Sequence, residues 1–189
     1  MRWLALYLRS RQVVAGVAVA AASVTGFGLL AGDREHVRLL LAMFAVTVVC
    51  AVTATGLAGP DVALERTAAR DGRLRRATHV AAIGGLAVVL GVTAGPPVAT
   101  DVLVRDAVGL TGLAALATTL LGGGLAWCLP AGWSVVATAA MLAARPTPAP
   151  LVTWPVQPAG TAAATVAAAV LGLAGLLAYT VLGPATRSA

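Results

Sequence analysis

Lysine is absent from the chain, and all 13 of its basic residues are arginine. A phosphate-cradling loop of the Walker type, a Schiff-base site and a retinal site all need an amine, so each is excluded. Charge of either sign is scarce, at 11% of 189 residues, against about a quarter in an ordinary soluble domain. Aromatic residues make up only 4% and cysteines number two. No Cys-x-x-Cys, His-Glu-x-x-His or Gly-x-Ser-x-Gly occurs, which removes the common redox, metalloprotease and serine-hydrolase motifs. His36 and His79 fall at opposite ends of apolar stretches, about a membrane thickness apart, so they do not form one metal site. Asp71-Gly72 matches the opening of the lipid-head-group transferase signature, but no acid follows between Thr78 and Gly91, and the match is chance.

What is present is apolar. Hydrophobic residues make up 59% and the mean hydropathy is +0.91. Composition of this kind excludes a soluble enzyme and a nucleic-acid module, although the net charge is +6. The length accommodates about six spans of roughly 20 residues with short loops. The expected architecture is all-α: one polytopic membrane domain over residues 1–189. Its spans are 13–30, 37–57, 80–94, 107–125, 130–144 and 162–182, all but the fourth closed by a Gly-Asp, Gly-Pro or Arg-Pro pair. The third and fifth, at 1.5 Å per residue, reach only about 22 Å. The first could pass for a signal peptide, but five spans follow it, so it reads as a retained signal-anchor.

Arginine placement sets orientation. With the N-terminus inside, nine arginines (2, 9, 11, 66, 70, 73, 75, 76 and 187) face the cytoplasm and four (34, 38, 105 and 145) face outward. Both termini are therefore expected in the cytoplasm of a cell-membrane protein. The basic excess also predicts attraction to anionic lipids.

Three segments between spans carry a pattern. Residues 1–12 place Arg2, Ala5, Arg9 and Gln12 on one helical face opposite Trp3, Leu4, Tyr7 and Leu8, the pattern of an interfacial helix. The plainer alternative is a basic tag that fixes orientation. In the loop 58–79, Pro60-Asp61 suits a helix start and Asp71-Gly72 a stop. Glu65, Arg66 and Arg70 on that helix are candidates for docking a cytoplasmic partner, against a solvated orientation loop held to anionic lipid. Residues 145–160 hold five prolines, at 146, 148, 150, 155 and 158, yet also Leu151, Val152, Trp154 and Val156. No regular helix is possible, and the segment is too apolar for an aqueous loop. It either dips into the outer interface on Trp154 or caps the bundle as a stiff extended strap.

No charged residue is expected near the centre of a span, which argues against an ion-coupled carrier. Asp101, Arg105 and Asp106, at the outer start of the fourth span, come closest. They form a candidate outer gate, or an interfacial charge cluster. Glycine is concentrated at Gly84-Gly85, Gly91, Gly109, Gly112, Gly122-Gly123-Gly124, Gly172 and Gly175, where small residues let helices approach in lipid.

This layout resembles the membrane subunit of an ABC-2 type exporter, particularly short actinobacterial permease-like proteins. The matching pieces are residues 2–12, 60–70 and 146–159. The stretches Leu64-Glu-Arg-Thr-Ala-Ala-Arg70, Arg105-Asp-Ala-Val-Gly-Leu-Thr-Gly-Leu113 and Trp154-Pro-Val-Gln-Pro158 are similar to ones in such proteins. The resemblance implies an interfacial helix, six spans, a cytoplasmic coupling helix after span two and a re-entrant outer element after span five. It further implies a separate ATPase subunit, a homodimer or heterodimer with a second permease, and no catalytic residue, cofactor or metal. Two other classes remain open: the substrate-binding component of an energy-coupling importer, and a non-transport assembly or immunity protein.

Overall fold

The computed structural model describes residues 13–57, 72–143 and 150–185. The expected interfacial helix at 1–12, the docking helix at 60–70 with Glu65, Arg66 and Arg70, and residues 144–149 with Arg145 lie outside the described residues. Those described form six α-helices, three short 3-10 turns and no strand. The helices are α1 (Val13–Leu30), α2 (Glu35–Ala54), α3 (Arg73–Ala94), α4 (Thr100–Leu121), α5 (Cys128–Leu142) and α6 (Ala162–Leu182).

Five stretches are long and apolar enough to cross a membrane: Glu35–Leu57, Arg73–Ala94, Thr100–Leu121, Gly123–Leu142 and Ala162–Leu182. α1 adds a shorter apolar helix. The outward faces carry Val89, Val135, Leu173 and Leu177, each more than half exposed. An apolar exterior over several helices is a surface suited to lipid. The chain is therefore an all-helical bundle with the make-up of a multi-pass membrane protein.

Two helices differ from the sequence expectation, and for related reasons. α3 starts at Arg73, not Val80, and its 22 residues span roughly 33 Å at helical rise. It is not a short span. Arg73 to His79 are polar but compatible with helix, and only the apolar part registers as a span. α4 runs 100–121 instead of 107–125. Its polar first turns belong to the helix, and it stops at Gly122, whose φ of +85° breaks the right-handed path. α5 keeps its expected length of 15 residues, and the 3-10 turn Gly123–Leu125 ahead of it completes the 20-residue apolar stretch. Pro130 lies in its first turn, where a missing N–H costs nothing.

Successive helices alternate in direction. Gly16 of α1 lies beside Val52, and a Cβ there would sit 3.2 Å from Val52 Cγ1. Tyr179 of α6 donates to the Leu57 carbonyl, Arg76 Nη1 to Thr180 O at 3.3 Å, and the Ala185 N–H to Thr118 O at 3.1 Å. These contacts gather the start of α1, the end of α2, the start of α3 and the ends of α4 and α6. We refer to this as the Arg76 end. The start of α2, the end of α3 and the starts of α4 and α6 form the other, the Arg105 end.

α4 is the axis of the bundle, buried along most of its faces. Against α6 it packs backbone to backbone: a Cβ at Gly175 would overlap the Gly112 carbonyl, and one at Gly112 would overlap Leu171 and Gly172. The contacts of α2 are partly polar: its Cys50 Sγ lies 3.3 Å from Thr111 Oγ1 of α4, and its Thr47 hydroxyl lies 2.7 Å from that of Ser134 of α5. Polar pairs of this kind between membrane helices contribute about 0.6 kcal/mol each on average, so close glycine packing is the larger determinant of helix position.

Candidate functional site

The Arg105 end contains an unusual arrangement built from α4 and the proline-rich segment before α6. Residues 150–160 begin as a turn and form a 3-10 turn at Trp154–Val156. Thr153, Trp154, Pro155 and Val156 are all buried. Trp154 has no exposed surface, so the segment does not anchor on a head-group tryptophan. Instead it enters the bundle. The indole rests on Gly109 of α4, where any Cβ would collide with the ring.

Irregular backbone inside a bundle leaves carbonyls without helical partners, and at membrane depth this is tolerated only where protein supplies donors. Arg105 supplies them. Its Nη2 donates to Gln157 O at 2.9 Å and to Pro155 O at 3.3 Å, and its Nη1 to Pro158 O at 3.4 Å. Its Nε donates to Asp106 Oδ1 at 3.1 Å. A planar five-donor fork suits this multiple recognition; a lysine would offer only a point charge. The pair is enclosed, with side-chain exposures of 4% for Arg105 and 0% for Asp106.

Other side chains complete the support. Trp133 Nε1 donates to Val152 O at 3.1 Å, Gln157 Nε2 to Thr153 Oγ1 at 2.7 Å and Thr161 Oγ1 to Pro158 O at 3.0 Å. Two buried polar atoms among the described residues make no hydrogen bond, Asp106 Oδ2 and Trp154 Nε1. A polar recess of about 370 Å³ opens beside the segment, bordered by Asp33, Glu35, Arg38 and Ala159.

Of Asp101, Arg105 and Asp106, the three charges singled out in the sequence, the structure brings two together. Arg105 and Asp106 meet inside the bundle, about five residues into α4. They are enclosed by protein and not spread over an interface. Asp101 stands apart: it is exposed, and its Oδ1 accepts from the Val102 N–H at 2.9 Å. Sequence reasoning identified Gly109 as a helix contact, but not as the slot for Trp154. It also missed the roles of Trp133 and Gln157, for which the only signal was the proximity of polar side chains to prolines. Among the described residues no three histidine, cysteine or acidic side chains are grouped for a metal.

Scans against protein families, curated proteins and solved structures find no match for this chain.

Proposed function

We propose that this chain is the membrane subunit of an ATP-driven exporter of ABC-2 type, working as a dimer with itself or a second permease. A separately encoded ATPase supplies the energy, since a chain without lysine cannot build its own phosphate loop. In this reading the Arg76 end and both termini face the cytoplasm, in line with the arginine bias, and the Arg105 end faces outward.

One observation carries the reading. A proline-rich segment re-enters the bundle just before the last span and is held there by a buried arginine of the central helix. Such an element closes the outer end of the bundle, and releasing it requires movement of α4 against the start of α6. The ATPase would drive that movement through the loop after α2, with Glu65, Arg66 and Arg70 at the contact. No bond is made or broken in the transported molecule, so no catalytic residue, cofactor or metal is assigned. The scarcity of polar groups along the helices favours an apolar or amphipathic substrate and counts against the binding component of an importer.

The test is a charge swap. Changing Arg66 and Arg70 together to glutamate should abolish association with the ATPase, because charge-assisted hydrogen bonds are worth about 1.5–3 kcal/mol each. Insertion and orientation should persist on Arg73, Arg75 and Arg76. A double variant that binds its ATPase with unchanged affinity would reduce the loop to an orientation signal and remove the docking role.

A further inference from the structure

The polar recess and the unmatched oxygen of Asp106 belong together, whether or not the chain transports anything. The recess measures about 370 Å³, space for several waters at roughly 30 Å³ each. Its lining carries the charges of Asp33, Glu35 and Arg38, with Val102 of α4 and Ala159 of the proline-rich segment. Val102, only 1% exposed, is the least exposed of the lining residues.

Asp106 follows Val102 by four residues on α4, so the two share one face, about 6 Å apart along the axis. A helical side chain leans toward the N-terminus of its own helix and covers the turn before it. Since α4 begins at the Arg105 end, the Asp106 carboxyl leans toward Val102 and the recess behind it. The segment makes the same link from its own side. Arg105 Nη1 donates to Pro158 O at 3.4 Å, and the next residue, Ala159, lines the recess.

Asp106 has no exposed surface. Arg105 Nε donates to its Oδ1, while Oδ2 is left unmatched. A buried ion pair is favourable only when further hydrogen bonds satisfy its remaining lone pairs, and buried waters are held at such polar atoms. We infer that the recess is a solvent inlet whose water continues past Val102 and donates a hydrogen bond to Asp106 Oδ2. A metal ion fits less well, because the acids of the lining and Asp106 form no ligand group among the described residues. Water needs no such group: it gives one hydrogen to Oδ2 and keeps its other bonds to the water behind it.

Water-edited solid-state NMR of the full chain in bilayers tests the inlet. Aspartate and cysteine are labelled with carbon-13, Asp106 is assigned by the signal lost in Asp106→Asn, and magnetisation is passed from mobile water to each carbon. The Asp106 carboxyl carbon should receive it nearly as early as that of exposed Asp101, and well ahead of the Cβ of buried Cys50. Two substitutions at exposed lining positions, Ala159→Trp on the segment and Ala99→Leu at the start of α4, fill the recess. Each should abolish the early transfer to Asp106 while leaving Asp101 and the helix content unchanged, and either suffices if the other alters the fold. Transfer to Asp106 as late as to Cys50 in the wild type would overturn the proposal. Early transfer that survives filling of the recess would overturn it as well, because that water would not come from the inlet.

Discussion

Arg105 is the residue on which its end of the bundle depends. Three backbone carbonyls and the Asp106 carboxylate accept from it. Arg105→Ala leaves those carbonyls and the buried Asp106 carboxyl without that donor, and removing one partner of a buried pair costs about 3–5 kcal/mol. Thermal unfolding in detergent should show this loss, and Arg105→Lys should fall between the two because it keeps the charge without the fork. A cost below about 1 kcal/mol for the alanine variant, the level of an exposed pair, would show that the segment is held by packing alone. Gly109→Ala makes a second residue-scale test. Its Cβ overlaps the Trp154 ring, and overpacking of that kind costs about 1–3 kcal/mol. The same unfolding assay reads it. These residues were only partly legible in the sequence. The adjacency of Arg105 and Asp106 was plain, but their burial was not. Burial depends on carbonyls fifty residues away that proline leaves outside any helix, and no local pattern encodes that partnership.

At the scale of the element, the glycines divide into two groups that the sequence could not distinguish. Gly112, Gly172 and Gly175 form the backbone contact between α4 and α6; Gly84 and Gly85 border open space. Gly175→Ala should therefore destabilise the bundle by about 1–3 kcal/mol. Gly85→Ala should stabilise it by about 0.5–1 kcal/mol, the ordinary gain from replacing a mid-helix glycine. Equilibrium unfolding of the two variants checks the contrast, and equal effects of the same sign would contradict the assigned packing. Small residues at helical spacing announce that helices can approach, and the approach itself depends on which helix is present to fill the notch. Apolar runs located every helix among the described residues for the same reason that they misplaced the ends of α3 and α4. Hydropathy reports what contacts lipid, while a helix continues through Arg73–His79 or Thr100–Asp106 wherever those residues find water or a partner. The proline punctuation after α3 and the glycine–proline pair after α6 were legible because they act through local backbone geometry.

At the scale of the molecule, the alternation of the six described helices places residues 13 and 185 at the same end of the bundle as Arg76. If that end is cytoplasmic, reporter fusions after Arg76 and after Pro150 should report opposite sides of the membrane; the same side for both would contradict the alternation. The arginine bias predicts this orientation from composition at loop level, independently of packing. The partner is the claim on which the functional account stands. The most direct measurement is purification of the intact chain from its native membranes under mild detergent, followed by identification of what accompanies it and assay of ATP hydrolysis. The account predicts a stoichiometric ATPase carrying a phosphate-binding loop, with hydrolysis by the complex and no accumulation of solute by the chain alone on a pH gradient. Recovery of the chain without any ATPase, together with solute accumulation driven by a pH gradient in vesicles containing only this protein, would contradict it.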